Sequence, residues 1–185
     1  VITQEWVVIA PERGKKPQII KDSKAMESNI PNYDPECPFC TGNEKKFNNI
    51  NTFTVNGTEG KWLTRSIENK YKVLSSDQND SSMLKKFDSY GPHMKYDGHG
   101  RHELVIESPL HNKILANMSK EEILNILTVY QERYLEFAKN PNNLITIIFK
   151  NSGIKAGASQ PHSHSQIVGS RIVPLNTRYM LIEAQ

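Results

Sequence analysis

The chain has 185 residues, 37% apolar and 23% charged, with two cysteines and a formal net charge of +3. That length can bury a sizeable core in one domain, while no apolar run reaches the length a bilayer demands. The basic residues are scattered, so nothing calls for nucleic acid as a partner.

The opening Val1-Ile2-Thr3-Gln4-Glu5 has neither a basic n-region nor an apolar core, so a soluble, cytoplasmic protein is expected. Trp6 to Ala10 reads as a strand ended by Pro11, followed by a small basic cluster of Arg13, Lys15 and Lys16 that suits a phosphate or a solvated loop. Residues 17–35 are polar and proline-punctuated, a loop by composition. Cys37-Pro38-Phe39-Cys40 follows; in a reducing compartment such a pair is half of a zinc site or a redox couple. Short strands are expected over 61–66 and 70–74. Residues 75–97 are rich in Ser, Asp, Asn and Lys without apolar period, an expected insertion or flexible loop. Glu103 to Glu107 alternates as a strand. At Ser119 a capping box with Glu122 opens a helix predicted to reach about Lys139, where Asn140-Pro141-Asn142 ends it. The apolar, β-branched run Leu144 to Phe149 reads as a buried strand. Strands around one long helix, without repeats, give an α+β domain on an antiparallel sheet. The absent initiator methionine and the ending Glu183-Ala184-Gln185, within what can be a starting helix, suggest that residues 1–185 are one domain of a longer chain.

The stretch Gly157-Ala158-Ser159-Gln160-Pro161-His162-Ser163-His164-Ser165-Gln166-Ile167 carries the strongest chemical signal. In an extended segment the period of two sets His162 and His164 on one face and Ser163 and Ser165 on the other. Neutral imidazole is a competent nucleophile toward phosphorus. Phosphoryl chemistry also needs donors around a charge that grows in the transition state. Backbone N–H groups near Gly157, the Ser159 hydroxyl, the Asn151 amide and the Gln166 side chain can supply them. A tetrahedral zinc would need two ligands besides Cys37 and Cys40; His111 and His162 are available, and by spacing alone His93, His99 and His102 compete with them.

Phe149-Lys150-Asn151-Ser152-Gly153, Gly157-Ala158-Ser159 and His162-Ser163-His164-Ser165-Gln166 together resemble the active-site signature of the galactose-1-phosphate uridylyltransferase family, in the histidine-triad superfamily. Glu5 to Arg13 resembles its opening strand and basic turn, Cys37-Pro38-Phe39-Cys40 its metal knuckle, and Glu107-Ser108-Pro109-Leu110-His111 completes the series. The resemblance covers nearly the whole chain but only the N-terminal half of a typical member. It implies a histidine-triad-like antiparallel half-barrel sheet with one long packed helix. It also implies zinc on Cys37, Cys40, His111 and His162, with His164 as nucleophile and Gln166 stabilising a covalent intermediate. Phosphate contacts from Asn151, Ser159 and Gln166, beside the backbone N–H groups near Gly157, and the basic turn at Arg13 are implied as well, as is a base and ribose loop involving Arg65 and Asn69. The implied reaction is ping-pong: UMP passes from UDP-glucose to galactose 1-phosphate through a nucleotidyl-histidine, in a full-length homodimer. One departure is Ser163, where the family usually has proline. His-Ser-His-Ser-Gln, with Gly100-Arg101-His102-Glu103-Leu104, also resembles the ADP-glucose phosphorylase-like branch, which moves AMP from ADP-glucose to inorganic phosphate. A histidine-triad binding or hydrolase module and a zinc-stabilised interaction domain are the remaining readings.

Overall fold

The computed structural model describes residues 5–15, 30–74, 86–87, 95–96 and 98–184. In chain order the strands and helices are β1 (Asn51–Asn56), β2 (Trp62–Glu68), β3 (Lys86–Phe87), β4 (Lys95–Tyr96), β5 (Gly100–Ile106), α1 (Lys120–Ala138), β6 (Ile145–Phe149), β7 (His164–Ser170) and α2 (Leu175–Glu183). Five strands form one antiparallel sheet in the order β1-β2-β5-β7-β6, and β3 and β4 pair as a separate ribbon. The α+β class and the single long helix agree with the sequence. Among the described residues no helix is long and apolar enough to cross a membrane.

The helix starts where its cap predicts. Ser119 accepts the Glu122 N–H at 3.2 Å while Glu122 accepts the Ser119 N–H at 2.7 Å, so two otherwise orphaned donors are satisfied together. α1 lies on one face of the sheet, where Val129 and Phe137 pack with Val105 and Ile167 against Phe53, Val55 and Ile148. A buried ion pair pins it: Arg133 Nε and Nη2 each donate at 2.8 Å to the two oxygens of Glu103 on β5. The opposite face carries a second cluster, Ile67, Leu104 and Ile106, under Cys37, Phe39 and Cys40. Register puts Ile106 opposite His164 and Leu104 opposite Gln166, so His164 and Gln166 belong to this second face, away from the helix.

Three expectations change, and one strand is added. Trp6 to Ala10 is not a strand; Val7 and Ile9 are 84% and 81% exposed, and the segment runs into a 3-10 turn at Pro11–Lys15. Its β-branched pattern finds no ladder among the described residues, because the sheet edges are β1 and β6. Residues 70–74 form turns and bends rather than a strand. β1 was concealed by flanking asparagines, although Val55-Asn56-Gly57 marks the hairpin into β2, closed by the Gly57 N–H on the Lys61 carbonyl at 2.8 Å. β6 is an edge strand rather than a buried one, leaving Ile147 and Phe149 36% and 38% exposed on the second face. Most of 75–97, the expected insertion, lies outside the described residues; the part inside them is the β3–β4 ribbon.

Close packing of α1 on the sheet depends on a glycine. A Cβ at Gly169 would sit 2.4 Å from Asn143 Oδ1 and 2.7 Å from the Phe137 ring. Gly169→Ala is expected to destabilise the fold by about 1–3 kcal/mol through overpacking. An unchanged midpoint in chemical denaturation would show that the contact relaxes freely.

Candidate functional site

The Cys37 to Cys40 turn is built to present sulfur. Asn43, itself buried, donates from its amide to the Cys37 carbonyl at 2.7 Å and the Asp34 carbonyl at 2.9 Å. The N–H groups of Phe39 and Asp34 point at the Cys37 and Cys40 sulfurs, each at 3.4 Å. His111 approaches from the turn after β5, tied down by its own N–H on the Asn32 carbonyl at 2.8 Å.

The donor atoms of Cys37, Cys40, His111 and His162 all lie within 4.8 Å of one another, and all four residues are buried. Sulfur to nitrogen distances are 3.4 Å for Cys40 to His111 Nδ1 and 3.6 Å for Cys37 and Cys40 to His162 Nδ1. A tetrahedron with metal–sulfur bonds near 2.3 Å and metal–nitrogen bonds near 2.05 Å has edges of about 3.6 Å. The group can therefore hold a metal ion. His162 Nε2 donates to the Ser108 carbonyl at 2.8 Å, which turns the Nδ1 lone pair toward the sulfurs. Burial pushes the His162 imidazole down to about 4, so it stays neutral at ordinary pH. Burial pushes the Cys37 thiol up to about 12; a bound cation reverses that preference. Of the competing histidines, His99 and His102 are not part of the cluster, and His93 lies outside the described residues.

His164 stands next to this centre, its ring 5.2 Å from that of Phe39, and is 8% exposed. Its Nδ1 lies 2.8 Å from the His162 backbone carbonyl, which can only accept, so the ring proton is on Nδ1 and the lone pair on Nε2. His162 itself precedes β7, in a bend, yet the predicted alternation holds. Ser163 and Ser165 turn to the helix side, where both hydroxyls donate to the buried carboxylate of Glu107. Lys150 donates to that carboxylate at 2.6 Å, to Ser163 Oγ at 2.9 Å and to the His164 carbonyl at 3.2 Å, and Tyr130 meets Ser165. Ser163 is thus held on both sides, as donor to Glu107 and acceptor from Lys150, where a proline could do neither.

Gln166, two residues on, shares its face with Phe149, its partner in register on β6. Its amide donates to Asn151 Oδ1 at 3.2 Å, and the Asn151 amide donates to the Ala156 carbonyl at 2.6 Å. Gly157 has φ +78°, the left-handed turn that carries the chain on to Ser159. The Ser159 hydroxyl is buried without a hydrogen-bond partner, the arrangement expected where a ligand oxygen belongs. His164 and Gln166 share the second face, and Gln166 is tied through Asn151 to the loop that runs on to Gly157 and Ser159. Arg13, in the N-terminal turn, donates to the Tyr71 carbonyl at 2.8 Å.

Two residues expected to contact the nucleotide are buried. Arg65 is fully buried beneath the cysteine turn, its guanidinium 4.6 Å over the Trp62 ring and 3.8 Å from Glu44. Asn69, also buried, accepts the Tyr71 N–H at 2.9 Å and places its amide against His102. Sequence reasoning did not set His102 or Phe149 beside Gln166. The alternation of Arg101-His102-Glu103-Leu104 was a usable signal for the first, since it sets His102 on the face of Leu104.

The family profile described as galactose-1-phosphate uridyl transferase, N-terminal domain, matches residues 1–174. An ADP-glucose phosphorylase from Arabidopsis thaliana is 35% identical over 174 residues, which is 94% of this chain and 48% of that protein. A galactose-1-phosphate uridylyltransferase from Haemophilus influenzae is 27% identical over 180 residues, 94% of this chain and 46% of that protein. Among solved structures, the Arabidopsis thaliana ADP-glucose phosphorylase with bound ADP-glucose superposes with a TM-score of 0.65 at 29% identity, over 100% of this chain and 53% of that one. The chain thus spans about half the length of the curated relatives it matches.

Proposed function

Because the chain belongs to the galactose-1-phosphate uridyl transferase family, matching its N-terminal domain, we propose that it carries the nucleophile half of a nucleotide-sugar nucleotidyltransferase. The observation that carries this reading is the His162 carbonyl on His164 Nδ1 at 2.8 Å, which sets the ring's lone pair on Nε2, two residues from Gln166 on the same strand face. In the proposed first half-reaction, Nε2 of His164 bonds to the α-phosphorus of a nucleotide sugar. The bond from that phosphorus to the bridging oxygen breaks, and the sugar 1-phosphate leaves with the oxygen. The imidazole then carries positive charge, which the His162 carbonyl stabilises through the same hydrogen bond. In the second half-reaction a phosphate oxygen of the acceptor attacks the same phosphorus and frees His164.

Gln166, Asn151 and Ser159 are assigned to the phosphoryl oxygens, Gly157 to the turn that brings Ser159 there, and Arg13 to the rim. The buried Cys37, Cys40, His111 and His162 are assigned to zinc, since two thiolates and two imidazoles in a tetrahedron suit that ion. Bound there, it supplies structural support, fixing His162 and with it the carbonyl that orients His164. We treat residues 1–185 as one such domain, working in a full-length homodimer.

For the nucleotide, transfer of UMP from UDP-glucose to galactose 1-phosphate is the reading of the family's name. Transfer of AMP from ADP-glucose to inorganic phosphate is favoured by the higher identity to the ADP-glucose phosphorylase, 35% against 27%, and by Ser163. Intact mass of the whole protein after brief exposure to each sugar nucleotide near neutral pH discriminates, because a histidine phosphoramidate is acid-labile. The expected result is a gain of one nucleoside monophosphate, AMP-sized with ADP-glucose or UMP-sized with UDP-glucose. No gain with either removes the transferase reading and leaves a binding module.

A further inference from the structure

His102 competes for the metal by spacing, yet the fold buries it 2% exposed on β5, two residues from the partner of Gln166 in register. The backbone N–H of Val73 points at His102 Nδ1 at 3.0 Å. That nitrogen must therefore accept, which places the neutral ring's proton on Nε2. Nε2 lies 3.0 Å from Gln166 Oε1, which can only accept, and 2.9 Å from the Asn69 amide nitrogen, whose own oxygen takes the Tyr71 N–H; the Nε2 proton is therefore assigned to Gln166 Oε1. On the other side, the Ala156 carbonyl fixes the Asn151 amide, so Asn151 presents Oδ1 to Gln166 and takes a hydrogen from its nitrogen. The hydrogen bonds thus run in one direction, from Val73 N–H through His102, Gln166 and Asn151 to the Ala156 carbonyl. A backbone donor at one end and a backbone acceptor at the other determine the orientation of every amide between them. Reversing Gln166 would set its NH2 against the Nε2 proton and its oxygen against Asn151 Oδ1, breaking two bonds at once.

We propose that His102 is a positioning residue for nucleotidyl transfer: it locks the Gln166 amide with its NH2 group on the phosphoryl side, one hydrogen held by Asn151 and the other directed to the transferring phosphate. This rests on the reading that Gln166 contacts that phosphate. Loops 69–74 and 151–159 are joined through the same residue, so His102 also couples the wall of the site to its phosphate side.

The test is the initial rate of mass gain in the whole protein, using whichever of UDP-glucose and ADP-glucose labels the wild type. H102L, H102Q, Q166A and the double variant H102L/Q166A are compared, with melting temperature and metal content measured on each. H102L is expected to label on the order of tenfold more slowly at saturating sugar nucleotide. H102Q, whose amide can accept from Val73 and donate to Gln166, is expected to recover most of the rate. The double variant should be no slower than Q166A, because His102 acts through Gln166. Losses that multiply on top of a slow Q166A, or an H102L that labels at the wild-type rate, overturn the role of His102 alone. A Q166A that labels at full rate, or a wild type that never labels, overturns the reading beneath it and this role with it.

Discussion

His164→Ala is expected to lower the rate of nucleotidyl-enzyme formation by about a thousandfold or more, because the bond to phosphorus is made at the atom removed. The substitution should leave the rest of the molecule in place. His164 is not among the four donors of the metal group, and the carbonyl it bonds belongs to the backbone of His162. Its ring packs on Phe39, so a cost of about 1 kcal/mol in stability is expected from lost packing and no change in metal stoichiometry. Sugar nucleotide should still bind, since Asn151, Ser159 and Gln166 remain. Labelling by the alanine variant at even a tenth of the wild-type rate would move the nucleophile elsewhere. Loss of labelling together with loss of metal would mean only that the site had collapsed.

The sequence disclosed this site unevenly, and the reasons are physical. Residues whose role is fixed by neighbours along the chain were legible. The capping box at Ser119, the alternation through Ser165 and the cysteine turn each need only local geometry. Roles set by register across the sheet were not. That Arg65 ends beneath the cysteine turn while His102 reaches Gln166 follows from β2 pairing Arg65 with Ile106 and β5 pairing Leu104 with Gln166, which no local period reveals. The apolar run at 145–149 reads as buried whichever position its strand takes; only the strand order makes it an edge with Phe149 half open. Glu107 shows the same limit. Nothing in Ile-Glu-Ser-Pro announces a carboxylate that gathers two serines and a lysine behind the nucleophile strand.

Cys37→Ser, or stripping the metal with a chelator, is expected to lower stability by about 3 kcal/mol or more and to slow labelling by loosening His164. The direction follows from what the donors do without a cation. Burial holds the Cys37 thiol up at about 12 and the His162 imidazole down at about 4, so without metal these two are neutral at pH 7. Metal binding must displace the Cys37 proton, and affinity should therefore rise with pH, tenfold per proton released for each pH unit. His162 adds a separate dependence to the metal-free fold. Its folded value lies below the ordinary 6.5, so the unfolded chain binds the extra proton. Stability is then full above 6.5 and falls as pH drops toward about 4, by about 3 kcal/mol when the whole window is crossed. Denaturant titrations of metal-free protein between those limits read this loss directly, and a flat profile would place His162 in a more open setting than its contacts imply. Metal content by mass spectrometry under native conditions tests the rest: one ion bound as firmly in Cys37→Ser as in the wild type would refute the four-donor site. Because the two hydrophobic clusters on either side of the sheet share β5, the metal-free domain should loosen first on the cysteine face while α1 stays docked. Hydrogen exchange at Ile106 and His164 would then quicken before exchange at Val129 and Phe137.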